Sequence, residues 1–221
     1  REESCEAGSK KRCLLYDTSA AAWSETPPAM TEQAYMFDRY YDLYHSPLGQ
    51  TMDVIFTKPI PAGTPESEWS GDEMFERYNG YGDASGWAGT ALLGTAARYQ
   101  VTGSEADYER LLTMAEDVAF LYEVTAIPGM IARAHYAMLP EGAPRPVGHW
   151  DKAIGGHRTD DEFGYPIDES LFDRLPDYYA DGVDIEGQHY DTKPIWQGDA
   201  SRDMYVRGLP GVLLAYDLLR D

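Results

Sequence analysis

The chain has 221 residues, enough to bury one full core or two small ones without covalent staples. Its 18 Lys and Arg stand against 38 Asp and Glu, a formal net charge of -20, which repels nucleic acid and anionic membranes alike. No apolar run reaches the roughly 18 residues that would mark a membrane span, and the charged opening at Arg1 has no apolar stretch behind it. Any targeting segment is therefore expected to have been removed or never to have been present. Seventeen Tyr and five Trp are more aromatics than a merely solvated acidic chain carries, so they are packed or used as contact surfaces.

In chain order, residues 1–30 read as an N-terminal extension to a single domain spanning 1–221. Cys5 and Cys13 lie in it, and in an oxidising compartment they would close a small loop; two thiols are too few for a structural zinc. Thr31–Tyr44 reads as a helix, capped by Thr31 and bearing Tyr35, Phe37, Tyr40, Tyr41 and Tyr44. Pro47–Gly82 is loop-like, with one short strand at Met52–Thr57. Trp87–Tyr99 is predicted as the most buried helix, because Ala88, Gly89, Ala91, Gly94, Ala96 and Ala97 leave little side-chain bulk. Thr102-Gly103 ends it, and Ser104 with Asp107 forms a capping pair for the next helix, to Tyr122. In that helix Tyr108, Leu111, Leu112, Ala115, Val118, Ala119 and Tyr122 are expected inward, and Glu109, Arg110, Glu116 and Asp117 on the wet side.

A third helix is predicted at Met130–Met138, with Pro128 near its first turn. The pattern dissolves from Leu139 to Gln197, leaving one helical turn at Glu169–Arg174 and a small strand pair around Val183–Tyr190. Arg202–Leu219 returns to helix, with Val206, Leu209, Val212, Leu213, Tyr216 and Leu219 inward and Pro210 delaying its start or bending it. Gly82-Asp83-Ala84-Ser85 recurs as Gly198-Asp199-Ala200-Ser201, each copy ahead of a small-residue helix with a Leu-Leu pair. A repeated helical hairpin would bring both openings to one end of the molecule, where Trp87, Trp196 and Asp203 would line a shared depression.

Three stretches together resemble the six-hairpin, or (α/α)-toroid, superfamily of glycoside hydrolases and polysaccharide lyases. They are Gly82-Asp83-Ala84-Ser85-Gly86-Trp87-Ala88-Gly89, Ala97-Arg98-Tyr99-Gln100-Val101-Thr102-Gly103 with the helix after it, and Trp196-Gln197-Gly198-Asp199-Ala200-Ser201-Arg202-Asp203. The resemblance implies a mainly α fold of helical hairpins with long loops and a small β-hairpin. It also implies an exported protein, secreted, periplasmic or on the cell surface, that acts on a polysaccharide or oligosaccharide. A complete toroid takes about twelve helices and this chain holds about half of them at the usual length of roughly 11–12 residues. The toroid is expected to be incomplete, part of a larger one that a further chain or chain segment closes.

Glycoside hydrolysis needs one protonated and one ionised carboxyl group. Asp83, Asp199 and Asp203 stand at helix openings where a cleft would receive them, although an Asp in that place also serves as an N-cap. Lyase chemistry would instead draw on Arg133, His135 and Tyr136, with His189 and Tyr190, unless Arg133 merely ties loops and His135 is a satisfied core histidine. Trp87, Trp150 and Trp196, with Tyr81 and Tyr165, are candidate platforms for sugar rings and equally candidates for core packing. His149 and His157 around Asp151 match no zinc spacing. Asp181, Asp184 and Glu186 could hold calcium without matching an EF-hand. With no phosphate loop, nucleophile elbow or Cys-His pair, no cofactor or metal is expected.

Overall fold

The computed structural model describes residues 16–17, 22–23, 30–56, 75–79, 81–144, 152–155 and 164–220. Cys5, Cys13, His149, Trp150, Asp151 and His157 lie outside these residues, so the disulfide, that His-Asp group and the Trp150 platform do too. Among the described residues the fold is mainly α with a few small strands, and no helix is long and apolar enough to cross a membrane. A short ladder, β1 (Tyr16–Asp17) with β2 (Ala22–Trp23), precedes α1 (Met30–Tyr40), which widens into one π-helical turn at Tyr41–His45. Next, β3 (Asp53–Phe56) pairs antiparallel with β4 (Phe75–Asn79).

The predicted helical hairpin follows as α2 (Ala84–Thr102) and α3 (Glu105–Glu123). Gly103 ends α2 in the left-handed conformation, φ 59°, with its N–H on the Tyr99 carbonyl. Ser104 starts α3: its Oγ accepts the Asp107 N–H at 3.2 Å and donates to Asp107 Oδ2 at 2.8 Å. Burial raises the Asp107 pKa, but hydrogen bonds from Thr102 and Ser104 and the Arg98 guanidinium outweigh it and hold the carboxyl below its ordinary value. Thr95 against Met114 and Tyr99 against Tyr108 fix the two helices antiparallel. Ser104→Ala should therefore lower stability by about 1 kcal/mol, read as a fall in the urea midpoint at unchanged slope.

α4 (Arg202–Leu219) packs on α2 in the parallel sense. Gly86 meets Met204 and Arg207, Gly89 meets Gly208, and Gly211 meets Gly89 and Leu93. The approach is at backbone distance: a Cβ added to Gly89 would lie 2.3 Å from the Gly208 Cα, and one on Gly211 would lie 2.1 Å from the Gly89 carbonyl oxygen. This contact overturns the expected facing of α4 for four of its six residues, while Val212 and Leu219 pack against the core as expected. Met204, Gly208, Gly211 and Ala215 are the buried row, whereas Val206, Leu209, Leu213 and Tyr216 are exposed. Small residues win the inner side because only they let the two backbones meet, and the bulky row is left outside. Pro210, on the exposed side, is accommodated within the helix and does not delay its start.

The expected third helix is a strand. β5 (Ala134–Met138) pairs antiparallel with β10 (Lys193–Gln197) and parallel with β6 (Ile154–Gly155); β7 (Gly164–Pro166) pairs with the far side of β10. The sheet order is β6-β5-β10-β7. Ile131, Ala132, Ala134, His135, Tyr136 and Ala137 are all buried, and a continuous buried run carries no period that separates strand from helix. The long excursion contains both expected pieces, a 3-10 helix at Glu169–Arg174 and a hairpin of β8 (Val183–Ile185) and β9 (Gln188–Tyr190). Its unforeseen parts are β6, β7 and β10, the last of which carries the chain back beside β5 and leads into α4. The main core joins α2, α3, β5, β10 and α4, and a smaller cluster of Leu139, Ile154, Val183 and Ile185 lies under the β8–β9 hairpin.

Candidate functional site

The two Gly-Asp-Ala-Ser openings lie at the same end, and one residue joins them. Arg133, just ahead of β5, donates from Nε to the Asp199 carbonyl and from Nη1 to the Gly82 carbonyl, each at 2.7 Å. Its own carbonyl accepts the Ser85 N–H at 2.9 Å, and its N–H reaches the Gln197 carbonyl at 2.8 Å. The first turn of α2, the approach to α4 and the β5–β10 ladder thus meet at this side chain. The two copies are used out of phase: Asp83 is itself the N-cap residue of α2, whereas α4 is capped two residues after Asp199, at Ser201. Asp199 turns the chain there with φ 57°.

Neither Asp is consumed as a side-chain cap. Asp83 makes no capping hydrogen bond and lies between two guanidiniums, 4.0 Å from Arg133 and 3.6 Å from Arg207. Arg207 also covers the ring of Trp87 at 4.7 Å, and Trp87 is about half exposed. Asp199 and Asp203 are exposed on the same rim, with no side-chain hydrogen bond among the described residues. The rim therefore gathers Asp83, Asp199, Asp203, Trp87, Arg133 and Arg207. Arg207 went unforeseen, although its place one helical turn after Asp203 was a usable signal.

No family model, curated protein or solved structure matches the chain.

The other expected site residues lie elsewhere. Trp196 is buried in the core, with its ring stacked on Tyr165 across the β7–β10 ladder at 4.7 Å, so it offers no free face. His189 is exposed on the β8–β9 hairpin and bonds Asp184 at 2.9 Å; that bond raises its pKa. Tyr190 packs against the smaller cluster. No group of three metal-ligating side chains occurs among the described residues, which leaves Asp181, Asp184 and Glu186 without the geometry of a calcium site.

His135 is buried, with its ring against Phe120 and Tyr179. Gln50 brackets its backbone, accepting the His135 N–H at 2.7 Å and donating to the His135 carbonyl at 2.9 Å. The ring Nδ1 meets the Tyr179 hydroxyl at 2.9 Å, and burial drives the pKa down to about 3, so the ring is neutral. The ring borders a cavity of about 190 Å³ together with Leu48, Glu116, Asp117, Phe120, Arg174 and Leu175. Leu48 and Gly49 take successive left-handed conformations there, φ 53° and 69°, and the first costs a residue with a Cβ about 1 kcal/mol. The fold of this loop brings Gly49 against Asp117, where an added Cβ would lie 2.1 Å from the Asp117 Cβ.

Asp117 was expected in solvent beside Glu116. It is instead partly buried, and burial, with the Glu116 charge beside it, pushes its pKa up from 3.8 to about 6. Helical spacing held the clue, since Asp117 lies three residues after Met114 and four before Leu121, both buried. The folded chain holds this proton at pH values where the unfolded chain has released it. Stability therefore falls as pH rises between about 4 and 6, by on the order of 1–2 kcal/mol after discounting for partial exposure. Asp117→Asn should remove that slope and exceed the unaltered protein in stability at neutral pH. Chemical denaturation at both ends of the window measures it, and a slope that survives the substitution would assign it to another group.

Proposed function

We propose that this chain is part of a carbohydrate-active protein of the (α/α)-toroid type, exported and glycoside hydrolase-like, acting on a polysaccharide or oligosaccharide. In this reading α2 and α4 are neighbouring inner helices and α3 is the outer partner of α2. Asp83, Asp199 and Asp203 supply the carboxyl groups, and Trp87 the flat face for a sugar ring. The observation that carries the proposal is the Arg133 bridge, which holds both repeated helix openings on one rim with their carboxyl side chains free of capping. A hydrolase is favoured over a lyase. Arg133 is already committed to two carbonyls, and His135 is buried on another cavity, so neither is free to serve a uronic carboxylate or its adjacent proton.

The test is turnover across a panel of neutral and acidic glycans, read as released reducing ends for hydrolysis and as unsaturated product for elimination. Asp203→Asn, on an exposed first turn, should leave folding nearly unchanged and bring release to background. If turnover survives in both Asp203→Asn and Asp199→Asn, the hydrolase assignment fails. The exposed apolar row of α4 favours one second reading, a non-catalytic extracellular binding or assembly module whose partner chain covers Val206, Leu209, Leu213 and Tyr216. A folded chain that turns over no glycan but changes mass on adding a partner would support that reading instead.

A further inference from the structure

Unlike α2, α3 and α4, the first helix adds no residue to either core cluster. Gln33 is the one buried side chain among those described in α1, and Met30, Tyr35 and Phe37 are exposed. Apolar burial therefore does little to hold this helix in place. Ion pairs tie it to the α2–α3 hairpin instead. Asp38 and Asp42, one helical turn apart, meet one guanidinium on each helix of the hairpin: Asp38 pairs with Arg98 of α2 and Asp42 with Arg110 of α3. Arg110 also lies 3.9 Å from Asp38, and the Arg98 guanidinium lies 5.2 Å from the centre of the Tyr35 ring.

Both sides of this junction are set up by the rest of the fold. Arg98 Nε is 2.7 Å from Asp107 Oδ1, and Asp107 is buried in the Ser104 cap, so this guanidinium keeps its place whether or not α1 is there. On the other side, the π-helical turn that follows α1 is anchored: Tyr44 is fully buried, and Tyr41 shares a hydroxyl hydrogen bond with Thr51. Asp38 itself stands in the last turn of α1, where a carboxylate opposes the negative end of the helix dipole. Its charge is thus stabilised across the gap, by Arg98 and Arg110, and not by its own helix. Partly exposed pairs of this kind are individually weak and are screened by salt, whereas the apolar contacts of α2, α3 and α4 are not screened.

We propose that α1 is a strap closed by an ionic latch, in which Asp38 and Asp42 engage Arg98 and Arg110, and that ionic strength releases it about the π-helical turn while the core stays folded. Release bares two guanidiniums beside the tight α2–α3 connection. That place is about 20 Å along α2 from Asp83, so the device is separate from the rim and independent of the function proposed for it.

Amide hydrogen exchange on the whole chain, compared in about 0.1 M and about 1 M NaCl, tests the proposal, because the screening length falls from about 10 Å to about 3 Å between them. Protection of the amides of Met30–Tyr40 should fall by at least about tenfold, while those of α2 and α3, the internal reference, stay unchanged. The double variant Asp38→Asn with Asp42→Asn keeps both side-chain shapes. It should exchange at low salt as the unaltered protein does at high salt, with no further response to NaCl. An amide at position 38 suits the helix end better than a carboxylate, so weakened helix propensity does not account for that loss of protection. Salt-indifferent exchange of α1, retained protection in the double variant, or loosening of α2 and α3 in step with α1 would each overturn the latch.

Discussion

Gly211→Val is expected to be the most damaging single substitution in the chain, with a loss of about 3 kcal/mol or more and, in a marginal background, no folded protein at all. The first added carbon would already lie 2.1 Å from the Gly89 carbonyl oxygen and 2.9 Å from the Leu93 nitrogen. Both are backbone atoms of α2, so no rotamer change relieves the clash and the helices must separate. Separation uncovers the row of Ala88, Leu92 and Ala96 that α4 helps to bury. Gly94 is the control, because nothing lies within 4 Å of a Cβ added there. Gly94→Ala should raise stability by about 0.5–1 kcal/mol, through helix propensity alone. Denaturant midpoints for the two variants should move in opposite directions, and a shared direction would mean that α2 and α4 do not meet through these glycines.

Arg133→Met is expected to cost about 2–3 kcal/mol, since it removes two charge-assisted hydrogen bonds and leaves the Gly82 and Asp199 carbonyls without their donor. Lysine should recover little of this. Its single ammonium cannot reach two carbonyls in diverging directions as Nε and Nη1 of one planar guanidinium do. The functional effect should exceed the structural one, because the Arg133 side chain is the direct tie between the Gly82 and Asp199 carbonyls that flank the two loops. If the proposed hydrolysis is measured, Arg133→Lys should fold and lose turnover by more than its stability change accounts for. Full turnover in a folded Arg133→Lys would show that the spacing of the loops is not set here.

Local signals carried most of the helical part of this fold. The Ser104–Asp107 cap, the Gly103 stop and the Ala/Gly run of α2 each depend on neighbours in sequence, and each was legible there. Two errors share a different cause. β5 is stranded because β10, which begins 55 residues after β5 ends, arrives to pair with it (193 − 138), and no local period announces a partner that distant. α4 turns its small residues inward because α2 offers glycine at the matching heights, so the larger residues lose the contest for the interface. At the site, the echo of Gly-Asp-Ala-Ser brought two loops together, and Arg133 ties them, the alternative weighed against its lyase role, although through backbone carbonyls. For Trp196 and His135 the sequence left site and core open, and the structure has both in the core: an aromatic or a histidine beside a polar loop has the same sequence context whether it faces the cleft or the core.

The parallel sense of α2 and α4 has an electrostatic consequence. Two helices laid side by side and pointing the same way bring like ends of their backbone dipoles together, so about half a positive elementary charge per helix collects on one rim. The two guanidiniums of Arg133 and Arg207 add to it in a chain whose net charge is -20. Asp83, Asp199 and Asp203 therefore lie where negative charge relieves a repulsion that the packing creates, and each has an electrostatic role before any substrate arrives. Amide substitutions at all three should loosen the pairing of α2 and α4 more than their single effects add up to, most visibly at low ionic strength. Measured turnover in such variants has to be set beside their stability at the same salt concentration.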